Sequence, residues 1–158
     1  MKSATETTSV EREIAIAARP ETVWEFLVDE EKAIRWMGLR ATFDPQPGGL
    51  YLVDVVPNHT ARGEFVELDP PHRLVFTFGW DANDDGPNPV PPGSTTIEIE
   101  LVPDGDGTLL RFLHELRTVE TAASHAHGWD HYLERLVVAA GGGDVGADPW
   151  ASGEMGEM

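Results

Sequence analysis

Hydrophobic and polar positions alternate along most of this chain and switch to a helical period in only two places. From Val10, the run VEREIAIAA sets Ile14 and Ile16 against Glu11 and Glu13, the two-residue period of a half-buried strand. ARPETVWEFLVDEEKAIRWMG then brings Val23, Trp24 and Leu27 to helical spacing, with Pro20 suited to a first turn and Glu21 an acid near the helix N-terminus. That helix should end near Asp29, and Ala33, Ile34, Trp36 and Met37 predict a second short one.

After Gly38 the residues LRATFDPQPGG predict a short extended piece and a turn, in which Pro47 presets one backbone angle and Gly48 or Gly49 takes positive φ. Strands follow over 50–56 and 59–68, with Pro57 and Asn58 turning between them. Asp69, Pro70 and Pro71 break the pattern, because proline cannot donate to a ladder and holds the preceding residue extended. The next run, 74–80, puts Leu74, Phe76, Phe78 and Trp80 on one face and Val75, Thr77 and Gly79 on the other. DANDDGPNPVPPG has no apolar period and is expected to be a long mobile loop. Ile97, Ile99 and Leu101 then alternate with Glu98 and Glu100, and PDGDG turns this strand into another over 108–115. From Thr121 the period becomes helical, with Ala122, His125, Trp129, Leu133 and Leu136 near one face and Gly141 to Gly143 ending the helix.

The order is one strand, two short helices, six more strands and one long helix. It implies an α+β fold in which a curved antiparallel sheet wraps around the C-terminal helix. The division expected is a flexible N-terminus over 1–9, one domain over 10–140, and a flexible, acidic, Gly-rich tail over 141–158 in which Trp150 is the one large apolar group.

Composition narrows the chemistry. Twenty-eight acidic residues against 11 basic ones give a net charge of −17, a field that repels nucleic-acid phosphates and anionic bilayers, so neither is expected as a partner. The absence of cysteine removes disulfides, thiolate nucleophiles and cysteine zinc sites together. With no long apolar run and no signal-like N-terminus, the expectation is a soluble, cytoplasmic protein. His127 and His131 have the i, i+4 spacing of a metal pair, but no third or fourth ligand and no zincin glutamate accompanies them, so no metal and no cofactor are expected.

Five motifs in order, RPETVWEFLVDEEKAIRWMG, PGGLY, GEFVELDPPHRLVFTF, PDGDGTLLRFLHE and HAHGWDHYLERL, resemble the START-like superfamily, which includes polyketide cyclases and the birch pollen allergen. Within it they are most similar to the homologues of the activator of heat-shock-protein-90 ATPase. The resemblance spans roughly Glu11 to Ala140 and implies the helix-grip arrangement, with a mostly apolar pocket between sheet and helix. One departure is Met37 after Trp36, where members often carry a second aromatic residue.

Such a pocket needs aromatic walls and a few orienting polar groups. The candidate ligand-binding residues are Trp36, Tyr51, Phe76, Phe78, Trp80, Phe112, Trp129 and Leu133, with Leu136 beside them and His114 and His125 as polar points, joined by His59 and Arg62. Each has a plainer reading as core or surface: a stripe of aromatics at strand spacing also fills a core, and His114 on the face of Leu110 and Phe112 also describes a satisfied core histidine. No catalytic residue is assigned, because neither paired carboxylates nor a nucleophile elbow, phosphate loop or dinucleotide fingerprint appears. The function expected is binding of a small hydrophobic or aromatic molecule. The alternatives are a module that stimulates a chaperone ATPase, as the family name implies, and a small cyclase- or hydratase-like enzyme using His114 or His125 as acid or base. The resemblance also leaves room for a homodimer.

Overall fold

A computed structural model of the protein describes residues 8–83 and 88–152. The expected flexible termini and mobile loop therefore fall partly outside the described residues, over 1–7, 84–87 and 153–158. Seven strands form one antiparallel sheet in the order β1-β7-β6-β5-β4-β3-β2. The strands are β1 (Ser9–Ile16), β2 (Arg40–Phe43), β3 (Leu50–Val56), β4 (His59–Asp69), β5 (Arg73–Phe78), β6 (Thr95–Asp104) and β7 (Gly107–Glu115). Helix α1 (Pro20–Val28) and the single turn α2 (Glu30–Ala33) follow β1, and α3 (Val119–Ala140) lies against the sheet. Among the described residues no helix is long and apolar enough to cross a membrane.

Inward residues line up in rows across the strands because pairing is in register. One row runs Phe65, Phe76, Ile97, His114 and Val10 across β4, β5, β6, β7 and β1, and every member is buried. The outward row, Glu13, Arg111, Glu100 and Arg73, alternates in charge over the same strands, so each charge faces an opposite one across the ladder. A β-bulge between Phe65 and Glu67 leaves Val66 exposed and bends β4.

The second helix is shorter and earlier than its apolar spacing predicts. Asp29 caps it by accepting from Glu31 N, but it ends at Ala33, and Trp36 and Met37 lie in the turns after it. The reason is Gly38, whose φ of 96° redirects the chain so that Leu39 N reaches Asp54 O and starts β2. Trp36 is nevertheless buried, with its indole N–H donating to Phe26 O at 2.8 Å, and Arg135 of α3 donates to Trp36 O at 3.0 Å. The turn thus joins both short helices to the long one.

Helix α3 opens with Thr118 and Thr121 as a reciprocal capping box. It buries Ala122, Trp129, Leu133, Leu136 and Ala140 along one stripe, the i, i+3, i+4 spacing that places side chains on one face. Arg12 of β1 grips Asp130 on the helix edge with two bonds of 2.6 and 3.1 Å. Both groups are substantially exposed, so this pair orients more than it stabilises.

Phe65 is fully buried and meets Phe43, Tyr51 and Phe76 through ring contacts of 5.8 to 6.2 Å. Truncating it leaves a void that these rings cannot close, so Phe65→Ala should lower the unfolding free energy by roughly 3–5 kcal/mol, read from urea denaturation.

Candidate functional site

Two histidines, His114 of β7 and His125 of α3, meet Phe78 at the end of β5, and each is fully committed. Trp129 Nε1–H donates to His114 Nδ1 at 3.0 Å. That makes Nδ1 an acceptor, so the His114 proton is on Nε2 and is donated to Thr95 Oγ1 at 2.8 Å, while the Thr95 hydroxyl donates to Phe78 O at 2.7 Å. Trp80 Nε1–H donates to His125 Nε2 at 3.0 Å, which leaves the His125 proton on Nδ1, 2.8 Å from Thr121 O. Both rings are neutral in this arrangement. Burial, with the nearby His125, lowers the His114 pKa to about 3; burial also lowers that of His125, although its bond to Thr121 opposes this.

These pairs lie at the inner wall of a cavity of about 360 Å³ between the end of β5, the β3–β4 hairpin and the first half of α3. Phe78, Trp80, Trp129, Tyr132 and Trp150 supply its aromatic surface, and among the described residues no Asp, Glu, Lys or Arg lines it. The space exists partly because Gly128 is the residue α3 turns toward it: a Cβ built there meets nothing within 4 Å. On the opposite side Gly79 lets the strand end pass under the next segment, since a Cβ at that position would stand 1.7 Å from Pro91 O. That close passage brings Trp80 N to Val90 O and Asn88 Nδ2 to Trp80 O, and so builds the wall of Asn88, Pro89 and Val90.

The chain after α3 closes another side. Asp148 accepts from Tyr132 Oη at 2.7 Å and lies 2.9 Å from His131 Nε2. Burial alone would raise this carboxyl, but bonds from Tyr132, His131 and the Trp150 backbone hold it below the ordinary value. Burial and the Asp148 bond raise the Tyr132 phenol. Trp150, in the short 3-10 helix Pro149–Ser152, stacks on His131 with ring centroids 3.9 Å apart and planes 6° from parallel. His127 stacks on the same indole at 5.2 Å. The i, i+4 histidine pair thus packs against Trp150, and the described part of the tail has definite partners on α3.

The ten candidate residues separate into two groups. Phe78, Trp80, His125 and Trp129 border the cavity, and His114 lies directly behind Trp129. Trp36, Tyr51, Phe76, Phe112 and Leu133 meet elsewhere, around a closed void of about 20 Å³ that also touches Trp129. Tyr51 stacks on Phe76 at 4.3 Å, and burial raises its phenol pKa. Of the two further polar candidates, His59 borders the cavity, whereas Arg62 is exposed and spent on Asp81. Gly128, Met37, Val55, Val56, Tyr132 and Trp150 border the cavity without having been expected there. A glycine in the middle of an alanine-rich helix was the one local signal, since it weakens a helix unless its missing side chain is needed.

A family model described as Activator of Hsp90 ATPase homolog 1-like protein matches residues 17–141. The solution structure of an AHSA1-like protein from Rhizobium etli is 47% identical, with a TM-score of 0.71 over 95% of this chain and 92% of that one. CalU16 from Micromonospora echinospora is 22% identical, with a TM-score of 0.66 over 87% of this chain and 83% of its own. The Aha1 dimer from Colwellia psychrerythraea is 19% identical, with a TM-score of 0.70 over 85% and 98%. The last two share the fold. No curated protein matches the sequence.

The histidines make stability depend on pH with a definite sign. An unfolded chain takes up a proton at His114 near its ordinary value of 6.5, whereas the folded chain does so only near 3. The unfolded state therefore binds more protons between these values, and stability should fall as pH drops through that window, by at most about 1.4 kcal/mol per pH unit for this one group. His114→Gln should show a shallower fall between pH 6.5 and 5 in urea titrations. Separately, Asp148→Ala should release Trp150 from α3, seen as red-shifted tryptophan emission and stronger acrylamide quenching.

Proposed function

Since the chain belongs to the Activator of Hsp90 ATPase homolog 1-like family, we propose that it is a small-molecule-binding module whose ligand is uncharged and largely aromatic. Gly128 carries this reading. A mid-helix glycine destabilises by about 1 kcal/mol relative to alanine, and here a side chain would meet open space rather than a neighbour. Folding would favour filling that position. A ligand that occupies the space in turn is the physical reason to keep it empty.

The chemistry of the wall supports an uncharged ligand. A net charge of −17 disfavours anions, and among the described residues no cationic side chain borders the cavity to offset that. Flat indole, phenol and phenyl surfaces favour stacked or edge-on rings. A volume of about 360 Å³ is at the small end for ligand pockets, which suits a two- or three-ring molecule. The geometry also favours binding over catalysis at His114 and His125, because a general base needs a lone pair directed at substrate and both acceptor nitrogens already hold an indole proton. The chaperone reading draws on the family description alone, and no feature of the described surface favours it.

The test pairs affinity with stability. N-phenyl-1-naphthylamine, a neutral fluorophore, should bind the wild-type protein saturably. Gly128→Leu should weaken binding by roughly tenfold or more, about 1.4 kcal/mol, while raising the unfolding free energy by about 1 kcal/mol. A variant that is more stable yet binds equally well, or a wild-type protein that binds no neutral aromatic, would reject the proposal.

A further inference from the structure

The two indole–imidazole pairs differ in one physical respect. Trp129 and His114 are both buried, His114 completely, so parting them would strand two polar groups away from water. Trp80 and His125 are each half-buried on the cavity wall. The Trp80 backbone is held by Val90 and Asn88, but its indole N–H is held by His125. If the ring turns outward from this rim, the N–H meets solvent and loses little. His125 would then present an unpaired acceptor nitrogen inside the cavity, with its tautomer still fixed by the bond from Nδ1 to Thr121 O.

Other polar groups on the wall are engaged within the protein. Tyr132 donates to Asp148, Asn88 spans Trp80 and Val90, and Ser124 turns back on Thr121. We infer that the Trp80 indole is a stand-in for the ligand: the cavity admits a neutral aromatic molecule carrying one O–H or N–H donor, which replaces Trp80 on His125 Nε2. This rests on the binding function proposed above and adds the polar contact that an aromatic wall alone lacks. The exchange keeps the count of hydrogen bonds to His125 constant and moves the indole N–H from protein to water, so a ligand donor is accommodated without loss in the wild-type protein and gains a net bond only where Trp80 does not compete, while a ligand without a donor leaves the Trp80 bond intact.

A matched pair tests it. 2-Naphthol and 2-methoxynaphthalene share ring and oxygen, and only the first has a donor. Because the bond is exchanged and not added, the two should bind the wild-type protein with similar affinity, but only 2-naphthol should shift the Trp80 indole ¹H–¹⁵N resonance, assigned by its loss in Trp80→Phe. In Trp80→Phe, where His125 Nε2 no longer has its indole partner, a preference for 2-naphthol of a few-fold to roughly tenfold should emerge, the worth of one neutral hydrogen bond. Adding His125→Phe to Trp80→Phe, which keeps an aromatic wall, should abolish that preference while 2-methoxynaphthalene still binds. Equal affinities for the two ligands in Trp80→Phe, or an unmoved Trp80 resonance on naphthol binding to the wild-type protein, would overturn the inference and leave the binding function standing. Failure of both ligands and of N-phenyl-1-naphthylamine to bind would overturn the two together.

Discussion

The hydrogen bond from Trp129 to His114 sets where the long helix lies on the sheet. His114 has no exposure to solvent, so both of its nitrogens must find partners inside the protein. Thr95 on the neighbouring strand meets one, and only an indole from α3 meets the other. Apolar contacts alone tolerate a helix that slides by part of a turn, because hydrophobic attraction has little directionality. A buried acceptor with a single donor does not. The polar member of an otherwise apolar five-strand row therefore gives the helix its register.

That register divides the interior in two. Toward the C-terminal half of α3, Leu133 and Leu136 close against Trp36, Tyr51, Phe76 and Phe112, leaving a void of about 20 Å³, too little for an organic ligand. Toward its N-terminal half the helix presents Gly128, Ser124 and His125 to the end of β5, and about 360 Å³ stays open. The difference is one of side-chain size on the same helix face. Trp129 stands between the regions and borders both, so the open space reaches the group that locks helix to sheet.

The cavity is completed by chain segments distant in sequence. The wall of Asn88 to Val90 depends on Gly79, where any side chain would strike backbone that cannot move aside. The Trp150 side depends on Asp148, which gathers bonds from two successive residues of α3, His131 and Tyr132. Adjacent helical residues point in directions about 100° apart, so one carboxylate serving both straddles the helix rather than packing on one face. Trp150 then stacks on His131. The histidines whose spacing suggested a metal thus hold the chain that follows the helix.

Much of the architecture was legible locally. Ile97, Ile99 and Leu101 alternate with Glu98 and Glu100 because one face of β6 is core and the other solvent, and Ala122, Trp129, Leu133 and Leu136 recur at 3.6 residues for the same reason in α3. Periodicity registers burial wherever an element has one dry side, so the succession of strands and the long helix could be read from residues near each other in the chain, whereas the end of the second short helix could not, and the helix-grip plan came from the family resemblance. It does not register what lies across the gap. Trp36 and Trp129 are both buried indoles at positions whose spacing reads as helical, yet one lies in a turn and donates to a carbonyl ten residues back, and the other donates from α3 to a histidine on β7. Trp80 and His125 are paired across 45 residues, and Tyr132 with Asp148 across 16. Which aromatics fill the core and which border an open space was decided by the crossing of α3 over the sheet, a relation between distant elements that no local pattern contains.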